Sequence, residues 1–299
     1  MVAGNLFFFL IMKALPPRPQ LLLPRQLASS LLKLYDYPHP IDRHKVIKGY
    51  DKAHALRTAK MCAAVALLLG HTVDRVRQYQ IACLLHDLGR AGLDQRLFGR
   101  IWSWAKVHRV PTRPAEWRAQ YIDTPYGKET EAFIKKYRDQ LEKEGMVIDD
   151  WACEQIEMRL GYARRMRRIL RMIKPQLCDL NITWHRWMEK VVLYYYYPEI
   201  MTDEPQWVHE FGEILVACEQ LEAHSNRQRG QDYYSRSKES FAKAFQYLNS
   251  LKQKKQISGK VVKALRILSS SGQFDSILQA AKGSALTEKD IKYLRSLPV

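Results

Sequence analysis

An all-α fold is predicted by three observations. From Asp51 onward, apolar residues recur at the helical period in almost every segment. No run alternates with period two between hairpin turns. Glycines and capping residues stand at the ends of the apolar stretches, as at Gly70, Thr72 and Gly89.

Residues 1–47 read as an N-terminal extension. Pro16, Pro17, Pro19, Pro24, Pro38 and Pro40 break any long helix and leave room for a short one over Gln26–Leu34. The apolar run Leu6–Met12 is far shorter than the roughly 20 residues that span a bilayer. It lacks a basic region before it and a small-residue cleavage site after it, so neither a transmembrane segment nor a signal peptide is expected. The extension is expected to pack poorly on a helical domain over 48–299.

That domain opens with Asp51–Leu69, apolar apart from a stripe with His54, Arg57 and Lys60, and stopped by Gly70. Thr72 is the predicted N-cap of a second helix that runs to about Asp87 and is closed by Gly89. Further helices are expected over Asp94–Val107, Tyr126–Lys143, Asp149–Lys174, Thr183–Tyr196, Trp207–His224, Arg236–Gln253 and Gly259–Leu268. Two short ones follow over Phe274–Ala281 and Glu288–Leu297. No internal repeat is seen.

With 299 residues, 46% hydrophobic and 26% charged, the chain can bury a real core, which excludes collagen-like, coiled-coil-only and disordered readings. A net charge of +17 favours an anionic partner: a nucleotide, nucleic acid or membrane surface. The five cysteines are odd in number and none sits in a CxxC spacing, so neither a disulfide framework nor a zinc ribbon is expected. Cys62, Cys83 and Cys218 lie in apolar helical patterns and read as small buried residues, and a reducing cytoplasm is the expected location.

Between Arg159 and Lys174 there are seven basic residues and no acid: Arg159, Arg164, Arg165, Arg167, Arg168, Arg171 and Lys174. Leu160, Tyr162, Met166, Ile169, Leu170 and Ile173 make the segment amphipathic. It reads either as a solvated helix face or as a dock for phosphates, a nucleic acid or a protein partner, with its arginines facing solvent or the mouth of a site.

The chemistry-bearing stretch is Ala82-Cys83-Leu84-Leu85-His86-Asp87-Leu88-Gly89-Arg90, in which an apolar helix delivers an imidazole and a carboxylate to one spot. That pair suits manganese, iron, nickel, cobalt or zinc better than calcium. His54 lies on the polar stripe of another apolar helix, with Arg57 one turn later. Glu219 and Glu222 share a face of a third, in Val216-Ala217-Cys218-Glu219-Gln220-Leu221-Glu222-Ala223. Three helices can therefore converge on one ion through His54, His86, Asp87 and an acid. A His-Asp dipeptide alone is a weak motif, and a histidine on an apolar helix is more often a hydrogen-bonded core residue.

His54-Ala-Leu-Arg57 followed by Leu84-Leu85-His86-Asp87-Leu88-Gly89-Arg90 resembles the HD superfamily of metal-dependent phosphohydrolases, and more narrowly its HD-GYP branch, which hydrolyses cyclic di-guanylate. Glu116-Trp117 with Thr124-Pro125-Tyr126-Gly127 is similar to that branch's Glu-Glu-Phe and His-Pro-x-x-Gly. Ile214–Glu219 with Glu222-Ala223 and Arg227 is similar to its Ile-x-x-Val-Ala-Asp-x-x-Asp-Ala and following Arg. Lys238–Leu248 and Gly272-Gln273-Phe274-Asp275 resemble its closing segments. The likeness covers about residues 48–285 in interrupted blocks and implies an HD-type helical bundle with a helical insertion over about 128–184.

The departures concern the metal ligands. Thr124 stands where the branch has a histidine, Glu219 where it has an aspartate, and Arg90 where it has a lysine. The Gly-Tyr-Pro signature is lost, with Tyr197-Pro198 after Tyr194–Tyr196 as its remnant, and His185 answers to one lost histidine at a shifted spacing. The four consecutive tyrosines point to different sides of a helix, so packing is their expected role.

The resemblance thus implies one divalent ion (manganese, iron, nickel, cobalt or magnesium) on His54, His86, Asp87 and Glu219, with Thr124 and His185 as possible additional positions. It implies catalytic roles for Asp87, Arg57 and Arg90, and phosphate binding by Arg90 and Arg227. The expected function is phosphohydrolase or phosphodiesterase activity on a nucleotide or cyclic dinucleotide, with turnover of cyclic di-guanylate weak or absent for want of a second metal. The alternative is a catalytically degenerate module that binds a nucleotide, RNA or a protein partner.

Overall fold

The computed structural model describes residues 16–40, 42, 44–225 and 240–299. Within them the chain forms α1 (Arg25–Lys33), a two-residue antiparallel ribbon of β1 (Tyr37–Pro38) and β2 (Val46–Ile47), α2 (Lys52–Leu68) and α3 (Val73–Leu84). A 3₁₀ turn, Leu88–Arg90, leads to α4 (Gln95–Val107), α5 (Pro114–Gln120), α6 (Glu129–Lys143) and α7 (Asp150–Leu160). Then come α8 (Tyr162–Asp179), α9 (Arg186–Leu193), a 3₁₀ turn Pro198–Met201, and α10 (Gln206–Ser225). The chain closes with α11 (Phe241–Gln253), α12 (Gly259–Ser270), α13 (Asp275–Lys282) and α14 (Glu288–Arg295). The all-α class is borne out. The run Leu6–Met12 and the start of the helix expected from Arg236 fall outside the described residues.

The buried apolar residues form two cores. The main one is built around α10, which contacts α2, α9, α11, α12 and α13. Val208, Phe211, Ile214, Leu215, Ala217, Cys218 and Leu221 are all buried, and a helix that is apolar nearly all round belongs inside. On α2 the small residues Ala55, Ala59, Ala63 and Ala66 are buried and let α3 and α10 approach closely. Gly70 ends α2 in the left-handed region (φ 90°), and the His71 N–H reaches back to the Ala66 carbonyl (3.1 Å) in a Schellman turn. Cys62, Cys83 and Cys218 are buried in this core as free thiols, as expected.

The second core runs from Leu93 to Leu160 over α4–α7 and is filled by aromatic rings, among them Trp102, Trp117, Phe133 and Tyr137. The single helix expected over Asp149–Lys174 is two helices, broken at Gly161. A Cβ there would lie 2.6 Å from Glu157 Cγ and 2.8 Å from Thr130 Oγ1, so the close approach of α6 at the bend favours glycine. The break sends α7 into the second core and α8 into the main one.

Three expectations are corrected. The extension is not poorly packed where it is described: Leu23, Ala28, Leu31 and Tyr35 are buried, and α1 lies on α3. Its backbone is satisfied by the buried Gln80, which accepts from Leu22 N (2.8 Å) and donates to Gln20 O (2.9 Å). Helix α5 was not anticipated; Pro114 at its first turn starts it, and seven residues are too few to display a helical period.

The third correction concerns the basic segment. Met166, Ile169 and Ile173 anchor α8, and Leu160 packs from α7, but Arg165 is fully buried. Its guanidinium donates to Gly89 O (2.9 Å), Ala91 O (2.7 Å) and Glu154 Oε2 (2.6 Å). Arg164 and Arg168 both pair with Glu157, and Arg167 with Glu189. The acids sit on α7 and α9, so the run of bases in sequence does not reveal its partners.

Arg165→Met leaves two buried carbonyls and a carboxylate without their donor and is expected to cost about 3 kcal/mol in denaturant unfolding. Arg167→Gln, at an exposed pair, is expected to change stability by less than about 1 kcal/mol.

Candidate metal centre

Helix α3 stops at Leu84, short of the expected Asp87, so His86 and Asp87 stand in the tight turn that follows it. The turn is held from three sides. The Tyr35 hydroxyl donates to Leu84 O (2.9 Å) and accepts from Asp87 N (3.3 Å). The Tyr162 hydroxyl donates to His86 O (2.5 Å), and Arg165 ties down Gly89 and Ala91 as described above. Gly89 is not a left-handed cap: a Cβ there would lie 2.6 Å from the Tyr162 ring. Burial, reinforced by the Asp87 charge, holds the Tyr162 phenol well above its ordinary pKa, so it stays a donor.

His54 of α2, His86 and Asp87 of the turn, and Glu219 of α10 come together. One ligand atom from each lies within 4.8 Å of every other, with the first three residues buried and Glu219 half-buried. His54 Nε2 and His86 Nε2 are 3.2 Å apart, and Asp87 Oδ2 is 3.7 Å from each.

The outer nitrogens decide what the inner ones can do. His86 Nδ1 meets the Cys83 carbonyl (2.7 Å), which can only accept, so Nδ1 carries the proton. His54 Nδ1 is in close contact with Glu222 Oε2, and the other oxygen of that carboxylate accepts from Arg57 Nε (2.7 Å) and Nη2 (2.6 Å). In the neutral form both imidazoles therefore turn a bare Nε2 lone pair toward the same point. Two lone pairs at that separation repel, and a cation between them turns the repulsion into ligation. Two imidazoles and two carboxylates are a fitting donor set for a divalent ion. The group can hold a metal.

Glu222 is fully buried yet serves as the support of His54 and Arg57. Glu219, one turn earlier, has no hydrogen bond or ion pair holding its carboxylate among the described residues, which leaves it available as a ligand.

The other expected site residues are placed differently. Thr124 is away from the group: its hydroxyl accepts from Trp117 Nε1 (3.1 Å) in the second core. His185 precedes α9, with its ring parallel to Trp187 at 6.5 Å between centroids, and is not in the group. Arg57 is engaged by Glu222, whereas Arg90 bridges Asp87 Oδ2 (3.3 Å) and the Tyr196 hydroxyl (3.1 Å). Arg227 lies outside the described residues.

The tyrosines diverge as expected. Tyr194 donates to Gln256 O, Tyr195 meets Tyr247, Tyr196 stacks on Tyr162, and Tyr197 lies edge-on to Tyr126. Sequence reasoning missed Tyr35, Tyr162 and Arg165 as supports of the His-Asp turn, since nothing local marks a residue 50 or 80 positions away. The role of Glu222 had a signal in its spacing from Glu219.

Compared with protein-family models, curated proteins and solved structures, the chain matches none.

Glu222→Gln removes the charge and leaves one acceptor oxygen where His54 Nδ1 and the Arg57 guanidinium now use two, and it is expected to weaken divalent-metal affinity about 10- to 100-fold in calorimetric titration. Elemental analysis of protein purified without chelator is expected to find a divalent metal in the wild type and none in His86→Ala.

Proposed function

We propose that the chain is a metal-dependent phosphohydrolase of the HD type, a diverged relative of the HD-GYP branch, acting on a nucleotide-like phosphoester through one metal ion. The observation that carries this reading is the pair of bare Nε2 atoms, aimed at one point with the carboxylates of Asp87 and Glu219 beside them. The net charge of +17 supports an anionic substrate. When bound, a divalent ion supplies Lewis-acid polarisation of a phosphoryl oxygen and an acidified water.

The chain's own groups do the rest. Asp87 is buried, and its carboxylate would hold the attacking water, as a ligand or as the base that takes its proton. Arg90 steadies that carboxylate and is itself steadied by Tyr196. The buried walls formed by Tyr35 and Tyr162 exclude bulk water from the Asp87 side. Thr124 and the tyrosines are engaged elsewhere, which supports one ion rather than two and so weak or absent turnover of cyclic di-guanylate. Among the described residues no helix is long and apolar enough to cross a membrane. Five free cysteines suit a reducing compartment such as the cytoplasm.

The second reading, a module that binds a nucleotide, RNA or a protein without turning it over, draws on one observation: Arg57 and Arg90 are already engaged by carboxylates.

Protein loaded with manganese or cobalt is expected to hydrolyse bis-p-nitrophenyl phosphate or a nucleoside monophosphate, and to lose the activity on chelation. Asp87→Asn is expected to lower kcat by about 10²- to 10⁴-fold with the helical circular dichroism unchanged. Nucleotide binding without turnover in the loaded protein would favour the second reading.

A further inference from the structure

Among the described residues, Arg57 and Arg90 are both engaged by carboxylates, so a further cation is sought for the phosphate. Of the four ligands, Glu219 alone is not buried, so the group opens on its side. We infer that Arg113, carried to that open side by the loop between α4 and α5, grips the substrate phosphate. This rests on the reading of the centre as a phosphoester site.

The chain of contacts is short. The Arg113 guanidinium carbon lies 5.4 Å from the Tyr195 ring centroid. The Tyr195 hydroxyl meets the Tyr247 hydroxyl (3.0 Å), and Tyr247 stacks on His224, which lies on α10 beyond Glu219. The next residue, Tyr196, holds Arg90 against Asp87. The Tyr195-Tyr196 dipeptide therefore reaches the metal group from both ends, by Asp87 on one side and α10 on the other. Glu219 is also near enough for its charge to act on the Tyr195 phenol, whose pKa burial raises first and Glu219 further.

Arg113 rests on the Tyr195 ring, beside Tyr247, and its one carboxylate partner holds it weakly. That ion pair with Glu116 is long (3.9 Å) and about half exposed on both sides (47% and 54%), so it contributes little. A phosphate offers two oxygens to the guanidinium fork and is the stronger partner. The backbone is held ready: Arg113 is extended (φ −123°, ψ 145°), as a residue before proline must be, and Pro114 starts α5. Since α4 and α5 belong to the second core, that core thereby presents a cation at the open edge of a site built by the main core.

The test uses the full chain loaded with manganese, inorganic phosphate as the probe in calorimetry, and metal content measured on every sample. Arg113→Gln is expected to weaken phosphate binding by on the order of tenfold or more at unchanged metal content. Arg113→Lys is expected to recover part of the loss, and Arg109→Gln, on the same loop, to leave the affinity unchanged. Unchanged phosphate affinity in Arg113→Gln overturns the inference and leaves the metal-site reading standing. Loss of metal together with phosphate also overturns it, because Arg113 would then be holding the structure. Wild-type protein that takes no metal, or that binds phosphate equally well without it, overturns the underlying reading instead.

Discussion

The buried carboxylate of Glu222 is the constraint on which the rest of the centre depends. An ionised carboxylate removed from water costs several kcal/mol unless it is paired and hydrogen-bonded. Here one oxygen is taken by His54 Nδ1 and the other by the Arg57 guanidinium. Both partners lie on α2, so the charge on α10 fixes the two helices against each other in rotation and in register. It also decides the tautomer of His54, and through it which nitrogen faces His86. Without Glu222 the two imidazoles could share a hydrogen bond and satisfy each other. With it, and with the Cys83 carbonyl on the other ring, both Nε2 atoms can turn a lone pair toward a cation.

The same logic of satisfied buried polar groups holds the His-Asp turn. A turn that follows a helix end exposes carbonyls with no partner in the helix. The Leu84 carbonyl is taken by Tyr35, that of His86 by Tyr162, and those of Gly89 and Ala91 by Arg165. These donors come from the N-terminal segment and from α8, elements that carry none of the four ligands. The basic segment thus finds its main role inside the molecule. Its Arg165 contributes a clamp, and Glu157 of α7 and Glu189 of α9 pair with three of its other arginines, Glu157 serving both Arg164 and Arg168.

The second core stands apart in composition as well as in place. Its aromatic filling and its ion pairs let α4–α7 pack among themselves, and the chain passes into it immediately after the His-Asp turn and returns at Gly161. The segment leaves the His-Asp turn at one end and returns through Gly161 beside it, and its loop between α4 and α5 lays Arg113 over the Tyr195 ring.

The sequence by itself determined the class of fold and most helix positions, and it marked His54, His86, Asp87 and the Glu219/Glu222 pair as the polar groups of one candidate centre. Helical periodicity is local, and His54, His86, Asp87 and Glu219 each interrupt an otherwise apolar surface, where a buried polar group must find a partner. Tertiary structure alone decided the break at Gly161, the short α5, the docking of α1 and the loss of Thr124 and His185 from the centre, because each depends on steric or packing partners distant in sequence. It also separated two similar acids. Glu219 and Glu222 share a face and a charge, and only the position of α2 makes Glu222 the support of His54 and leaves Glu219 in the group that can hold a metal. Arg165 shows the same limit from the other side: the seven bases of its segment look alike in sequence, and burial against the turn carbonyls singles out one.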